Sequence, residues 1–136
     1  MTGQDDRRGS GVLLLLTIVY AAASLLHFAH NAVFVRAYPN LPAWITAQGV
    51  WIAWCSVTAV GAVGYYVFRR FSRTLGLLML ALYALLGFAG LDHYTLAPMS
   101  AHSIEMNSTI LAEVAAAAVL LIYVSRGLVS TKRAIQ

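Results

Sequence analysis

Apolar residues fall along the chain in four long runs, at about 12–35, 43–68, 75–96 and 103–124. Each exceeds the roughly 20 residues that a helix needs to cross a bilayer. The breaks between them are short and carry Arg36, Pro39 and Pro42, then Arg69, Arg70 and Arg73, then Pro98. Proline ends helices and biases the residue before it toward extended backbone. Within hydrocarbon, backbone groups must be satisfied by helices or closed barrels. These runs are too long for barrel strands and do not alternate. The pattern therefore predicts an all-α integral membrane protein. Short connections make neighbouring helices antiparallel, so the expected fold is an antiparallel four-helix transmembrane bundle.

The expected single domain covers 11–126. Residues 1–10 lack periodicity and are expected to form a mobile tail, and 127–136 form a second polar tail. Arg7 and Arg8 before an apolar run, with Ala21, Ala22 and Ala23 inside it, partly match a signal-peptide pattern. The run stays apolar well beyond the alanines, which favours a retained helix.

Composition supports this reading and narrows it. Of 136 residues, 60% are hydrophobic and 10% charged, against about 45–50% and about 25% in soluble domains. An ordinary cytosolic enzyme and a disordered chain are both excluded. The net charge is +4, but the basic residues flank apolar runs and form no patch interleaved with aromatics. Nucleic acid is therefore not an expected partner. Four spans place both tails and the second connection on one side. That side holds Arg7, Arg8, Arg69, Arg70, Arg73, Arg126, Lys132 and Arg133, and the other holds only Arg36. The bias predicts both termini in the cytoplasm and a location in the cell's inner (plasma) membrane. Tyr38 and Trp44 are expected at the outer interface, and Tyr65 and Tyr66 at the inner one. The single Cys55 permits no intramolecular disulfide and no paired-thiolate site.

Ionisable residues inside spans are costly and usually face the bundle interior at a functional site. Seven qualify: His27, His30, Asp92, His93, His102, Glu105 and Glu113. Helices one and three run outward, so His27, His30, Asn31, Asp92 and His93 fall toward the outer end. Helix four starts outside, which puts His102 and Glu105 in its first turn. Glu113 lies about 16 Å further in at 1.5 Å per residue. Three separate stretches thus converge on one layer. On helix four, His102, Met106, Thr109 and Glu113 fall within about 60° of one another, with Glu105 flanking them. On helix one, Tyr20, Ser24, His27 and Asn31 form a similar stripe. Helix two brings Gln48 to that layer. Asp92 and His93 are adjacent, about 100° apart, so only one of them can point to the centre.

Histidines and carboxylates on facing helices are the donor set of bundle-core metal sites. The expected ligands are His27, His30, His93 and His102, with Asp92 or Glu105 completing the shell. Nitrogen and oxygen donors suit zinc or iron, while Met99 and Met106 would add copper to the choice. Asn31 would orient a ligand. Glu105 or Glu113 would act as general base toward a small or lipidic substrate. Three other readings compete with a metalloenzyme or metal carrier. One is a b-type haem held between His27 and His93. Another is a proton-coupled transporter built on Glu113. The last is an accessory subunit whose polar residues only lock helices together. The apolar outer surface suits self-association as a homodimer or entry into a larger membrane complex.

Overall fold

The computed structural model describes residues 3–133, with side chains described over 9–130. Four long helical segments pack into one bundle. The first is α1, Gly3–Val33. A loop over 34–46 leads to α2, Ala47–Arg70. The third segment is composite: α3, Arg73–Leu86, passes into a 3₁₀ stretch, Gly87–Asp92, and then into the short α4, His93–Leu96. The fourth segment is α5, Ile104–Arg133. Four stretches, Gly9–Val33, Ala47–Arg70, Arg73–Leu96 and Ile104–Ser130, are long and apolar enough to cross a membrane.

Local chemistry explains where the helices start. Thr46 and Ser72 sit in extended backbone and cap the free N–H groups of Gly49 and Leu75 at 3.1 and 3.3 Å. The Ser103 hydroxyl accepts from the Met106 N–H at 3.2 Å. Such caps are worth about 1 kcal/mol each. At the other boundaries the helices outrun the apolar pattern. α1 begins at Gly3, inside the polar tail, and α5 continues to Arg133. Neither stretch contains a proline, and helical hydrogen bonding continues at little cost through polar residues.

Most of the core lies in the half of the bundle that carries Arg69 and Arg73. Leu13, Tyr20, Leu77, Leu80, Tyr83, Ala84, Ala117, Leu120 and Val124 form one buried cluster. The Tyr20 and Tyr83 rings meet at 4.4 Å between centroids. Glycines let the helices approach this closely. A Cβ on Gly61 would fall 2.5 Å from the Tyr83 ring, and one on Gly76 would collide with the backbone of Phe68. The outer surface is the reverse of a soluble protein's, since Leu26, Ile52, Leu82 and Ile122 are each more than half exposed. At the opposite end a second, smaller cluster of Tyr38, Met106 and Ile110 lies among polar groups.

Candidate functional site

The polar end is assembled by α1, the composite third segment, α5 and the 34–46 loop. His27 and Glu113 are its deepest members, 3% and 2% exposed. The His27 Nδ1 and the Glu113 Oε2 are directly paired. Tyr20, Ser24 and His27 are all buried along one face of α1, and Met106, Ile110 and Glu113 along one face of α5. His102 is buried as well, but it precedes α5 in extended backbone and is not in the first helical turn where the sequence put it. The helical stripes therefore point inward as their spacing requires. Gly90 lies against the pair: a Cβ there would touch both Glu113 Oε2 and His27 Cε1 at 3.4 Å. Any larger residue at 90 would press on the two groups.

Above the pair the imidazoles are stacked edge to face. His27 and His93 are 5.4 Å apart between ring centroids, and His93 and His102 are 6.2 Å apart. Asn31 Nδ2 donates to His93 Nε2 at 3.3 Å. His102 Nδ1 donates to the Pro98 carbonyl at 3.1 Å. These bonds fix the rings but leave two nitrogens over. His27 Nε2 and His102 Nε2 are buried without a hydrogen-bond partner, as is Asn31 Oδ1. When Glu113 is ionised and His27 neutral, Nδ1 donates to the carboxylate and Nε2 keeps a bare lone pair. A buried polar atom left unpaired costs about 1–3 kcal/mol, so these three atoms call for a ligand, a proton or water.

The side of this layer opens into a half-open cavity of about 410 Å³. That volume falls in the range of small-molecule sites, about 300–1,000 Å³. His27, Asn31, Asp92, His93 and Glu113 are its polar wall. Leu41, Trp44, Ile45, Val50, Leu86 and Leu96 are apolar, and Gly49, Ala53, Ala89 and Gly90 leave the space between them. α2 thus contributes small and apolar residues, while Gln48, expected in this layer, is exposed and does not line the cavity. Trp44 stands at the rim, 80% exposed.

Tyr38 corrects the sequence reading most sharply. It is no interfacial anchor but is 3% exposed. Its ring lies 4.7 Å from that of His93, and its hydroxyl is 2.9 Å from His30 Nδ1. Burial pushes its phenol up to about 12, although a hydrogen bond with Thr109 works against this. The loop that delivers it is pinned at both ends. Asn40, in the left-handed region at φ 56°, donates from Nδ2 to the Leu96 carbonyl at 2.9 Å, and Arg36 donates to the Ala43 carbonyl at 3.2 Å. Pro39 and Pro42 around Asn40 were the available signal for a tight inward turn.

The remaining expected residues separate from this core. Glu105 is exposed. Asp92 is exposed at the cavity rim, and His93 takes the inward direction. His30 is half-buried and spoken for by Tyr38. Among the described residues, no three His, Cys, Asp or Glu side chains are arranged to hold one metal ion. A single buried His–Glu pair stands where a ligand cluster was expected. His27 and His93, the pair expected to hold a haem, have their rings edge to face at 5.4 Å between centroids. Comparison with protein-family models, curated proteins and solved structures finds no match.

Proposed function

We propose that the protein resides in the cell's inner membrane with both termini cytoplasmic, and binds an amphipathic, membrane-borne molecule in the cavity beside His27. The head of that molecule carries a hydroxyl or carbonyl group, and the His27–Glu113 pair exchanges a proton with it. The observation that carries this reading is the buried pair at the polar wall of an otherwise apolar, half-open cavity. Glu113 holds the imidazole by Nδ1, which leaves Nε2 to accept from a ligand O–H or, once protonated, to donate to a ligand carbonyl. Asn31 Oδ1 offers a second acceptor for the same head. The apolar walls take the tail, and the rim beside Trp44 is the entry from the outer leaflet.

Filling the cavity tests this directly. Ala89→Phe changes an exposed wall residue and leaves the core intact. Protein captured in nanodiscs from its own membrane should carry an enriched amphipathic species by mass spectrometry, and Ala89→Phe should lose it. Identical small-molecule profiles for the two proteins would refute the binding site. Glu113→Gln, which keeps the shape of the cavity wall, should retain the species.

A second reading has one observation in its favour. The bare Nε2 atoms of His27 and His102 flank His93, and modest ring rotations would turn three imidazoles toward one ion, with Asp92 or Glu105 recruited to the shell. Zinc, iron or copper would bind such nitrogens. Elemental analysis after incubation with each metal decides it. His27→Ala and His102→Ala should each remove the ion, and full stoichiometry in both variants would end this reading.

A further inference from the structure

At the opposite end of the bundle, a groove of about 650 Å³ runs between the start of α1 and the end of α2. Ser10, Gly11 and Leu14 line one side, and Ala62, Tyr65, Tyr66, Arg69 and Arg70 the other. No acidic side chain lines it among the described residues. Its base is ordered rather than loose. Arg69 donates to the hydroxyl of Ser10, which is buried, and the Tyr65 hydroxyl lies 3.5 Å from the same oxygen. A guanidinium has five N–H donors, so the bond to Ser10 orients Arg69 and leaves donors to spare. Arg70 is exposed beside it. Below the arginines the groove turns apolar, between Leu14, Ala62 and the two tyrosine rings. A side chain at Gly11 would meet nothing within 4 Å, so the floor at that point is empty.

We infer that this groove binds the phosphate of an anionic phospholipid, with an acyl chain lying over Gly11 and Ala62. Two guanidiniums match phosphate oxygens by charge and by paired hydrogen bonds. Basic pockets between helices on the cytoplasmic side are suited to lipid headgroups. The inference rests on the membrane placement proposed above, but on none of the residues of the His27 site. Free phosphate shares the headgroup chemistry and lacks the chain, so the two ligands can be told apart.

The experiment is a titration of the full chain in neutral detergent with phosphatidylglycerol or phosphatidylcholine, bound lipid being counted by native mass spectrometry. Phosphatidylglycerol should bind preferentially. Arg69→Gln and Arg70→Gln should each weaken it about fivefold, the effect of one basic residue near an anionic lipid. Gly11→Leu should weaken it without changing any charge. Arg126→Gln, at the same end but outside the groove, should leave it unchanged. Millimolar inorganic phosphate should not displace the lipid. Equal binding of the two lipids, or equal losses for Arg126→Gln and Arg70→Gln, would overturn the inference. So would displacement by inorganic phosphate with Gly11→Leu silent, which would assign the arginines to the free ion. Should Arg69→Gln fail to fold, Arg70→Gln and Gly11→Leu still decide the matter.

Discussion

His27 and Glu113 are costly to bury and costly to separate. Two such groups withdrawn from water stabilise little as a pair, but removing one strands the other. His27→Ala should therefore destabilise the protein by about 3–5 kcal/mol, read as a lowered unfolding midpoint in detergent. Glu113→Gln keeps the shape and a hydrogen-bonding oxygen, so it should cost clearly less. A double variant of His27→Ala with Glu113→Ala should fall well short of the sum of those two single variants, since the groups act as a unit. Tyr38 makes a different prediction. Its phenol is held protonated up to about pH 12 by burial, whereas an unfolded chain releases that proton near pH 10. Between these values the unfolded state binds fewer protons, so stability falls as pH rises. Tyr38→Phe should show a shallower loss of stability from pH 10 to 12 than the parent. Identical slopes would mean that Tyr38 is not sealed from solvent. Both members of the deep pair stood out in the sequence as costly groups inside apolar runs, but their pairing did not: His27 was expected to hold a metal and Glu113 to act as a base, because spacing along two helices does not say which side chains meet between them. Tyr38 was not legible either, because a tyrosine beside two prolines looks the same whether its loop folds inward or lies in the headgroups.

At the scale of elements, contacts between helices are decided by the smallest residues. A Cβ on Gly76 would meet the backbone of Phe68, which cannot move aside, and one on Gly61 would meet the buried Tyr83 ring. Overpacking of this kind typically costs about 1–3 kcal/mol, occasionally more. Gly76→Ala should reach or exceed that range, with Gly61→Ala close behind. Gly11→Ala, facing open space, should instead stabilise α1 by up to about 1 kcal/mol through helix propensity alone. Thermal midpoints of the three variants check both sign and order. The four apolar runs marked the helices well, because long unbroken hydrophobicity admits few other structures. The cavity was invisible in the same letters. Gly49, Ala53, Ala89 and Gly90 line it, and whether a small residue admits a neighbour or leaves a hole depends on the neighbour's position. The metal cluster expected from six converging side chains is not assembled among the described residues, for a related reason. Depth along a helix can be counted from the sequence, but whether Glu105 and Asp92 swing inward depends on rotations that periodicity gives only approximately.

For the whole molecule the decisive feature is a surface more apolar than its interior at one end. Cys55 illustrates it. Its side chain is on the exterior of the bundle, nine residues into α2 and so about 12 Å along the helix at 1.5 Å per residue. A water-soluble maleimide should leave Cys55 unmodified in membranes and react once the protein is denatured. In a Cys55→Ser background, Trp44→Cys should be labelled from outside intact cells and Thr74→Cys only after the membrane is opened. The reverse pattern would invert the proposed orientation, and labelling of Cys55 in sealed membranes would contradict a transmembrane α2.

The 3₁₀ stretch from Gly87 to Asp92 works as a gear between two parts of one span. It advances about 120° and 2.0 Å per residue, where an α-helix advances about 100° and 1.5 Å. Rewinding its six residues as α-helix would shorten the span by about 3 Å and turn everything beyond it back by about 120°. His93 would swing off Tyr38, and Tyr94, one place further round, would arrive at nearly the direction His93 had left. The inward position in that layer is thus set by how six residues are wound rather than by which residues they are. A spectroscopic label on Tyr94 would report any exchange between the two windings as a one-residue step.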